Sequence, residues 1–316
     1  MKREYETPGP IALEIRVPAG RVELETADTD QTRVELEPLH DDEESHAAAE
    51  SARIELRERA AGGQKVTVAV AEESRRGLGI RLSRGAEKVL VVDAGKLGGR
   101  HFGFGLSRGA EVLVRVRCPH GTSVEAEGES ADLEARGRFG SVSVSTSSGD
   151  VEVGEVDGEA AVNSASGDIE LDRVGGAIRV NAASGDVVVR RADGGGEISC
   201  ASGDAIVDAA GGRLAVKTAS GDVVVREAAS SLAVKTASGD QRVDSVVEGE
   251  VTLESASGDI HVAVRRGTRL WVDARSRTGD TTSDLEVGDE PPAEGGPTLE
   301  LRATSMSGDI HVGRAA

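Results

Sequence analysis

The sequence predicts an all-β protein whose strands coil into a β-solenoid, and three observations support this fold class. The first is a tripeptide, Ser/Thr-Gly-Asp, that begins at Ser148, Ser166, Ser184, Ser202, Ser220, Ser238, Ser257, Thr278 and Ser307. The first six copies recur every 18 residues, and a fixed period of this length is typical of stacked repeats. The second is an alternation of apolar residues within each unit. The third is an aromatic content of only 2%, which suits a narrow core of Val, Ile, Leu and Ala.

Each 18-residue unit is predicted to contain two short strands. Leu214 and Val216 alternate with other residues before one tripeptide, and Val223 and Val225 alternate after it. An apolar residue at every second position indicates a strand with one buried face. The unit therefore has two strands and two corners, one at Ser-Gly-Asp and one that is often rich in glycine.

The tripeptide is predicted to turn the chain. Glycine accepts positive φ, and Ser and Asp side chains hydrogen-bond to nearby backbone amides. We therefore assign a structural role at the corners to Gly149, Gly167, Gly185, Gly203, Gly221, Gly239 and Gly258. The aspartates receive the same role. Binding of cations is the alternative, because carboxylates stacked about 5 Å apart repel one another unless they are hydrogen-bonded, solvated or bridged.

Two folds satisfy the repeat. In a solenoid each unit is one coil, and equivalent residues stack about 4.8 Å apart. In an antiparallel meander each Ser-Gly would be a hairpin turn, and Thr218 would lie opposite Val223. We favour the solenoid, because a constant period is required when coils stack in register.

Residues 1–112 are predicted to form a strand-rich N-terminal cap with one short helix, followed by the solenoid at 113–316. Apolar residues alternate over 11–17 and 22–36, which indicates strands. Four acidic residues at 41–44 precede a run of alanines, which favours a short helix. The ends of a solenoid expose unpaired backbone groups, so a cap is expected.

The cap contains a basic, glycine-rich loop at 74–111. The residues that we predict to bind a partner there are Arg75, Arg76, Arg81, Arg84, Arg100, His101, Phe102, Phe104 and Arg108. Such a loop could bind a phosphate, a nucleic acid or an acidic partner. The alternative is a mobile loop whose charge offsets the acidic surface.

Composition narrows the class of partner. The formal net charge of -19 disfavours nucleic acid and anionic membranes. No apolar run approaches the roughly 20 residues of a membrane-spanning helix. Residues 1–10 do not resemble a signal peptide, and two cysteines do not make a disulfide framework, so we expect a cytoplasmic protein.

A search for chemistry leads to no catalytic, cofactor-binding or metal-binding residue. His261 and His311 follow tripeptides that we expect to lie two coils apart, on the order of 10 Å, which is too far to share a metal. Cys200 occupies an inward position and is expected to be inert. The last coil is expected to expose Ile310 and Val312, which could pair with a second copy in an end-to-end homodimer unless the insertion at 281–297 covers them.

The motif Val-x-Thr-Ala-Ser-Gly-Asp-Val-x-Val, as at Val216–Val225 and, with Gln241 in place of the second Val, at Val234–Val243, resembles a bacterial family of β-strand-repeat domains of unknown function labelled "putative adhesin". The resemblance implies a β-solenoid-like fold and no established catalytic residues. We therefore expect a non-enzymatic binding or scaffold protein for an unknown protein or acidic ligand. The alternative is a carbohydrate-active β-helix enzyme, a lyase or hydrolase, whose acidic and basic residues would cluster in one groove at non-repeat positions.

Overall fold

The computed structural model describes residues 1–58, 63–70, 110–285 and 296–315. This part of the chain contains 25 strands and one helix, and all the strands are connected in a single hydrogen-bonded system. The loop residues 74–109 therefore lie outside the described residues, as do residues 286–295 of the predicted insertion. The predicted all-β class, with one short helix near the N-terminus, is confirmed.

The elements fall into three groups along the chain. The N-terminal group is β1 Lys2–Glu6, β2 Ala12–Ala27, β3 Gln31–Pro38, α1 Glu43–Ser51, β4 Arg53–Glu58, β5 Gln64–Ala69, β6 Val112–Pro119 and β7 Ser123–Phe139. The regular group is β8 Val142–Ser148, β9 Val151–Val156, β10 Ala160–Ser166, β11 Ile169–Val174, β12 Ile178–Ala182, β13 Val187–Ala192, β14 Gly196–Ser202, β15 Ala205–Ala210, β16 Leu214–Ser220, β17 Val223–Ala228, β18 Leu232–Ser238, β19 Gln241–Val246, β20 Gly249–Ser257 and β21 Ile260–Val264. The C-terminal group is β22 Arg269–Ser276, β23 Thr281–Ser283, β24 Thr298–Ser307 and β25 Ile310–Arg314.

Strand pairing in the regular group distinguishes the solenoid from the meander. Strands pair in parallel with the strand 18 residues away, so that Thr218 lies between Cys200 and Thr236. A meander would have paired Thr218 with Val223 in antiparallel strands, and that alternative is wrong. Even-numbered strands from β8 to β20 form one face, and odd-numbered strands from β9 to β21 form the other.

The core lies between the two faces and repeats in every coil. The inward side chains of Leu214, Val216, Val223 and Val225 are at most 1% exposed. Thr218, at the end of the first strand, is also buried, as its inward position predicts. The interior between the two faces is narrow. Aliphatic side chains from the facing strands fill it, so the core needs no aromatic residue in these coils.

The Ser-Gly-Asp corners stack directly upon one another. An ideal Cβ on Gly221 would lie 2.1 Å from the carbonyl oxygen of Gly203, and Gly221 has φ +131. Six of the seven predicted corner glycines have positive φ; the exception is Gly149, whose Cβ would still lie 2.3 Å from the Ala131 carbonyl oxygen. The structural role predicted for these glycines therefore has two causes, the turn itself and the close approach of successive coils.

The aspartates of the corners form a hydrogen-bonded ladder. The backbone amide of Asp222 donates to Oδ1 of Asp204, and the amide of Asp240 donates to Oδ1 of Asp222, both at 2.8 Å. The same contact recurs from Asp132 at the N-terminal end to Asp280 at the C-terminal end. A negative carboxylate on a backbone N–H is a charge-assisted hydrogen bond, which offsets the repulsion between stacked aspartates.

The N-terminal region contributes coils of its own as well as a cap. Strand β2 lies between β7 on one side and β5 and β6 on the other, and all of these pairings are parallel. Strands β3 and β1 then continue from β6 in antiparallel fashion, and β4 pairs antiparallel with β5. Helix α1 packs against β3 and β6, and Asp42 caps its N-terminus with a carboxylate that accepts the Ser45 amide at 2.6 Å. The division at 112/113 falls at the first residue of β6 and remains a prediction.

The C-terminal coils do not stack in chain order. The coil formed by β24 and β25 inserts between the β20–β21 coil and the β22–β23 coil. The prediction that Ile310 and Val312 form an exposed edge is therefore wrong, because these side chains are at most 1% exposed. The inserted coil also buries Leu299 and Leu301 completely, whereas the outer coil places Thr281 and Ser283 opposite Ile310 and Val312. The more apolar coil takes the inner place because burial of each large aliphatic side chain stabilises the fold by about 1.5–3 kcal/mol.

Candidate ligand-binding groove

A groove of about 610 Å³ lies on the outer face of the N-terminal strands, where the 18-residue repeat is irregular. Strands β3, β6, β2 and β7 form its floor in that spatial order. Its lining includes four arginines and four glutamates, namely Arg33, Arg115, Arg117, Arg136, Glu23, Glu25, Glu35 and Glu134. These residues alternate along their strands with buried residues, so their side chains share the outer face.

Two arginines of the groove are direct cross-strand neighbours. Arg33 on β3 pairs in register with Arg117 on the antiparallel strand β6. Beyond them, Glu25 on β2 lies next to Arg117, and Arg136 on β7 lies next to Glu25. Like charges directly opposite each other destabilise a sheet, so the Arg33–Arg117 pair carries a local cost in stability.

Most of the charged groups in the groove have partners. Arg33 contacts Glu4 at 2.8 Å, and Arg115 contacts Glu23 at 2.8 Å. Arg136 forms an ion pair with Glu134. Arg117 differs: within the described residues it has no ion pair and no side-chain hydrogen bond. The guanidinium of Arg117 is thus the group in the groove that is most available to a ligand.

Hydrogen bonds to oppositely charged neighbours shift the pKa values of two side chains in the groove. The hydrogen bond from Lys2 lowers the pKa of Glu35 below its usual value. The hydrogen bond to Glu23 raises the pKa of Arg115. Both groups therefore stay charged at neutral pH, and the groove offers fixed charges that suit recognition of an ionic ligand.

One end of the groove is closed by a compact polar contact. The Thr26 hydroxyl lies 3.0 Å from Nδ1 of His120 and accepts the backbone amide of Arg138 at 2.7 Å. Gly137, with φ +101, permits this approach, because a Cβ there would lie 2.3 Å from the Thr26 hydroxyl oxygen. The Thr26 hydroxyl therefore links β2 to the backbone of β7 at this end of the groove.

A family profile with the description Toastrack DUF4097 matches residues 12–213 and 208–313 of the chain. The chain belongs to the Toastrack DUF4097 family. This assignment agrees with the resemblance to β-strand-repeat domains that the sequence indicates. No curated protein matches the sequence.

Solved structures similar to this Toastrack chain have low sequence identity to it. A putative cell adhesion protein from Clostridium sporogenes is 7% identical over 99% of both chains, with a TM-score of 0.23. A putative adhesin from Parabacteroides distasonis is 11% identical over 98% of this chain and 96% of that one, with a TM-score of 0.30. A putative lipid binding protein from the same organism is 12% identical over 99% and 96% of the two chains, with a TM-score of 0.32.

The structure places the other residues singled out in the Toastrack sequence as follows. The predicted binding residues of the basic loop lie outside the described residues, so their role remains a prediction. Cys200 is 6% exposed, at the inward position predicted for it, and burial raises the pKa of its thiol to about 11. No helix among the described residues is long and apolar enough to cross a membrane.

The predicted separation of His261 and His311 by two coils is wrong. His261 and His311 are register partners on the neighbouring strands β21 and β25, and their ring centroids are 5.8 Å apart. The predicted distance assumed that coils stack in chain order, which the inserted coil violates. Within the described residues, no group of three or more His, Cys, Asp or Glu side chains is placed to hold a metal ion.

Sequence reasoning did not find the groove. Its residues come from segments about 100 positions apart, and they meet only because β2 lies between β6 and β7. The signal that was available is the Arg115-Val-Arg117 alternation at the start of the repeat region, which places two arginines on one face of a strand.

Proposed function

We propose that this Toastrack protein is a non-enzymatic binding protein whose N-terminal groove holds a ligand that carries a carboxylate. The observation that supports this function best is the direct opposition of Arg33 and Arg117, with Arg117 lacking a partner among the described residues. Adjacent guanidinium groups repel each other, and an anion between them removes that repulsion. Planar guanidinium groups also match the geometry of a carboxylate.

The acidic residues of the groove limit the class of ligand. Glu23, Glu25 and Glu134 lie beside the arginines, and the whole chain carries a net charge of -19. A densely charged polyanion such as nucleic acid would meet these carboxylates as well as the arginines. A ligand with isolated carboxylates among neutral or cationic groups fits better, and an acidic oligosaccharide and an acidic peptide share this chemistry.

A carbohydrate-active enzyme is the second candidate, and one observation favours it. Acidic and basic side chains at non-repeat positions do cluster in one groove, as that alternative requires. A general acid, however, needs a carboxyl group with a raised pKa. The pKa of Glu35 is lowered by Lys2, so this groove carboxylate is held ionised and is unsuited to donate a proton.

The experiment measures binding of two probes, trigalacturonate and the peptide acetyl-Glu-Ala-Glu, by titration calorimetry at low salt. We expect Arg117→Gln and Arg33→Gln to weaken binding of the better probe about tenfold, the loss of roughly 1.4 kcal/mol that one charge-assisted contact provides. Arg226→Gln is the matched control, since Arg226 pairs with Asp208 on a regular coil. Equal affinity in all three variants would overturn the proposed site.

The same samples distinguish binding from catalysis. We expect trigalacturonate to be recovered intact after prolonged incubation with the full chain. Detection of cleaved or unsaturated products, lost in Arg117→Gln but not in Arg226→Gln, would establish the enzyme instead.

A further inference from the structure

The outermost C-terminal strand, β22, has a free edge. Within the described part of the chain, β22 pairs only with β24, which leaves the backbone groups on its other side without a strand partner. Trp271 is 51% exposed and Val272 is 38% exposed, although most large apolar side chains of the fold are buried. Met306, on the adjacent strand β24, is 53% exposed. An open strand edge with exposed apolar residues is a template for pairing with another strand.

We propose that β22 pairs with β22 of a second copy of this chain, in antiparallel orientation about a two-fold axis at Ala274. The outward-facing residues along this edge are Arg269, Trp271, Asp273 and Arg275 of β22, followed by Arg277 just after the strand. The axis places Asp273 opposite the partner's Arg275 and Trp271 opposite the partner's Arg277. This row of side chains therefore pairs favourably with the same row of a second copy running in the opposite direction.

Neighbouring registers lack this complementarity. An axis at Asp273 would place that carboxylate opposite itself, and an axis at Arg275 would place that guanidinium opposite itself. An axis at Val272 would place Arg269 opposite the partner's Arg275. Since like charges directly opposite each other destabilise paired strands, the register about Ala274 is favoured over these three.

Contacts within one chain agree with the chemistry of the pairing. Nε of Arg275 lies 2.8 Å from Asp273, and the Arg275 side chain is 76% exposed, so it can reach a carboxylate on a second copy. The Arg302 guanidinium lies 5.7 Å from the Trp271 ring centroid, which shows that this ring already accepts a cation. In the dimer the partner's Arg277 approaches the same residue.

The proposed pairing ends at a dimer. At the other end of the solenoid, the antiparallel strands β1, β3 and β4 and the helix α1 continue beyond the coils. The C-terminal edges therefore meet as like ends, and a two-fold contact between like ends gives a dimer that does not propagate into a filament. This inference is independent of the N-terminal groove.

The test is sedimentation of the full chain over rising concentration at low salt. We expect a monomer–dimer equilibrium, and we expect Asp273→Arg and Arg275→Asp to raise the dissociation constant about fivefold or more. The double variant restores the wild-type constant, because the complementary charges then simply exchange places. An equimolar mixture of the two single variants forms a heterodimer for the same reason.

The matched controls are Arg242→Asp and Asp244→Arg. This pair has the same two-residue spacing and a 2.7 Å contact, but it lies on β19, inside the stack. We expect these variants to dimerise as the wild type does, and circular dichroism confirms that every variant is folded. A wild type that stays monomeric, or a dimer that the single reversals at 273 and 275 leave unchanged, would overturn the proposal.

Discussion

The imidazole rings of His261 and His311 lie side by side, with centroids 5.8 Å apart, although 50 residues separate them in the chain. They are neighbours because the coil of β24 and β25 inserts between two coils that precede it in sequence. On its other side His311 lies 3.1 Å from the Thr282 hydroxyl and 3.1 Å from Asp284. One side chain thus joins three coils whose order in space differs from their order in sequence.

The order of the coils can be tested with paired cysteines. We expect His261→Cys with His311→Cys to form a disulfide on mild oxidation, because neighbouring strands lie about 4.8 Å apart, within the Cα separation that a disulfide spans. His261→Cys with Thr282→Cys is the control and should stay reduced, since these positions are two coils apart. Non-reducing electrophoresis distinguishes the products, and preferential linkage of 261 to 282 would indicate stacking in chain order.

A valine at a stacked corner should destabilise the solenoid. In Gly221→Val the new Cβ would lie 2.1 Å from the Gly203 carbonyl oxygen, and the backbone would hold a β-branched residue at φ +131. We expect a loss of at least about 1–3 kcal/mol in the free energy of unfolding. Thermal denaturation measures it.

A substitution at Gly9 separates the cost of the backbone conformation from the cost of contact between coils. Gly9 also has positive φ, +104, but a Cβ there would meet nothing within 4 Å. Gly9→Val should therefore show the cost of the backbone conformation alone and lower the melting temperature less than Gly221→Val does. Equal losses in the two variants would argue against a role for coil-to-coil contact.

The aspartate ladder should depend on its oxygen acceptors. Asp222→Ala removes the acceptor of the Asp240 amide, and we expect a loss of about 0.5–1.5 kcal/mol in the free energy of unfolding. Asp222→Asn retains an oxygen at Oδ1 and should lose less. Urea denaturation of the two variants provides the comparison, and a larger loss for Asn than for Ala would contradict this role.

Calcium should not be needed for folding. Each carboxylate in the ladder from Asp132 to Asp309 already accepts a backbone amide of the next coil, so its charge is compensated within the fold. We expect the far-ultraviolet circular dichroism spectrum and the melting temperature to be unchanged by a chelator. Loss of the β-sheet signal on chelation would show that cations hold the ladder together.

Glu14, on the N-terminal strand β2, should make the stability of the fold depend on pH. Its side chain, 13% exposed, lies 2.7 Å from Lys65, and the hydrogen bond from Lys65 lowers the pKa of Glu14 below its usual 4.5. A carboxyl group with a lowered pKa stabilises the folded state above its ordinary pKa, and that contribution is lost as the pH falls through the lowered value.

The corresponding measurement is urea denaturation of the wild type and Glu14→Gln at several pH values. We expect the variant to be less stable by about 1 kcal/mol at pH 7, with the difference shrinking as the pH falls below about 4. Glu129→Gln is the control, because the Glu129 side chain is exposed and its carboxylate makes no hydrogen bond or ion pair among the described residues. A difference that is constant with pH would exclude the proposed ionic contribution.

The sequence by itself determined the regular coils. An apolar residue at every second position, as at Leu214 and Val216, can be buried only if those positions share one face of a strand. The corner glycines and the constant 18-residue spacing then require coils that stack in register, as Gly221 on Gly203 illustrates. These features depend on local backbone geometry and on identical neighbours, so one repeat carries the information for the next.

Only the tertiary structure decided how the two ends are completed. At the N-terminal end β2 lies between β6 and β7, which brings Arg33, Arg117 and Arg136 into one groove. At the C-terminal end the coil containing Ile310 lies between the two coils that precede it in sequence. Every coil presents the same hydrogen-bonding edge, so the repeat pattern does not specify the order of stacking. That order follows from burial of the most apolar coils and exposure of the most polar, a comparison among distant segments that local patterns do not contain.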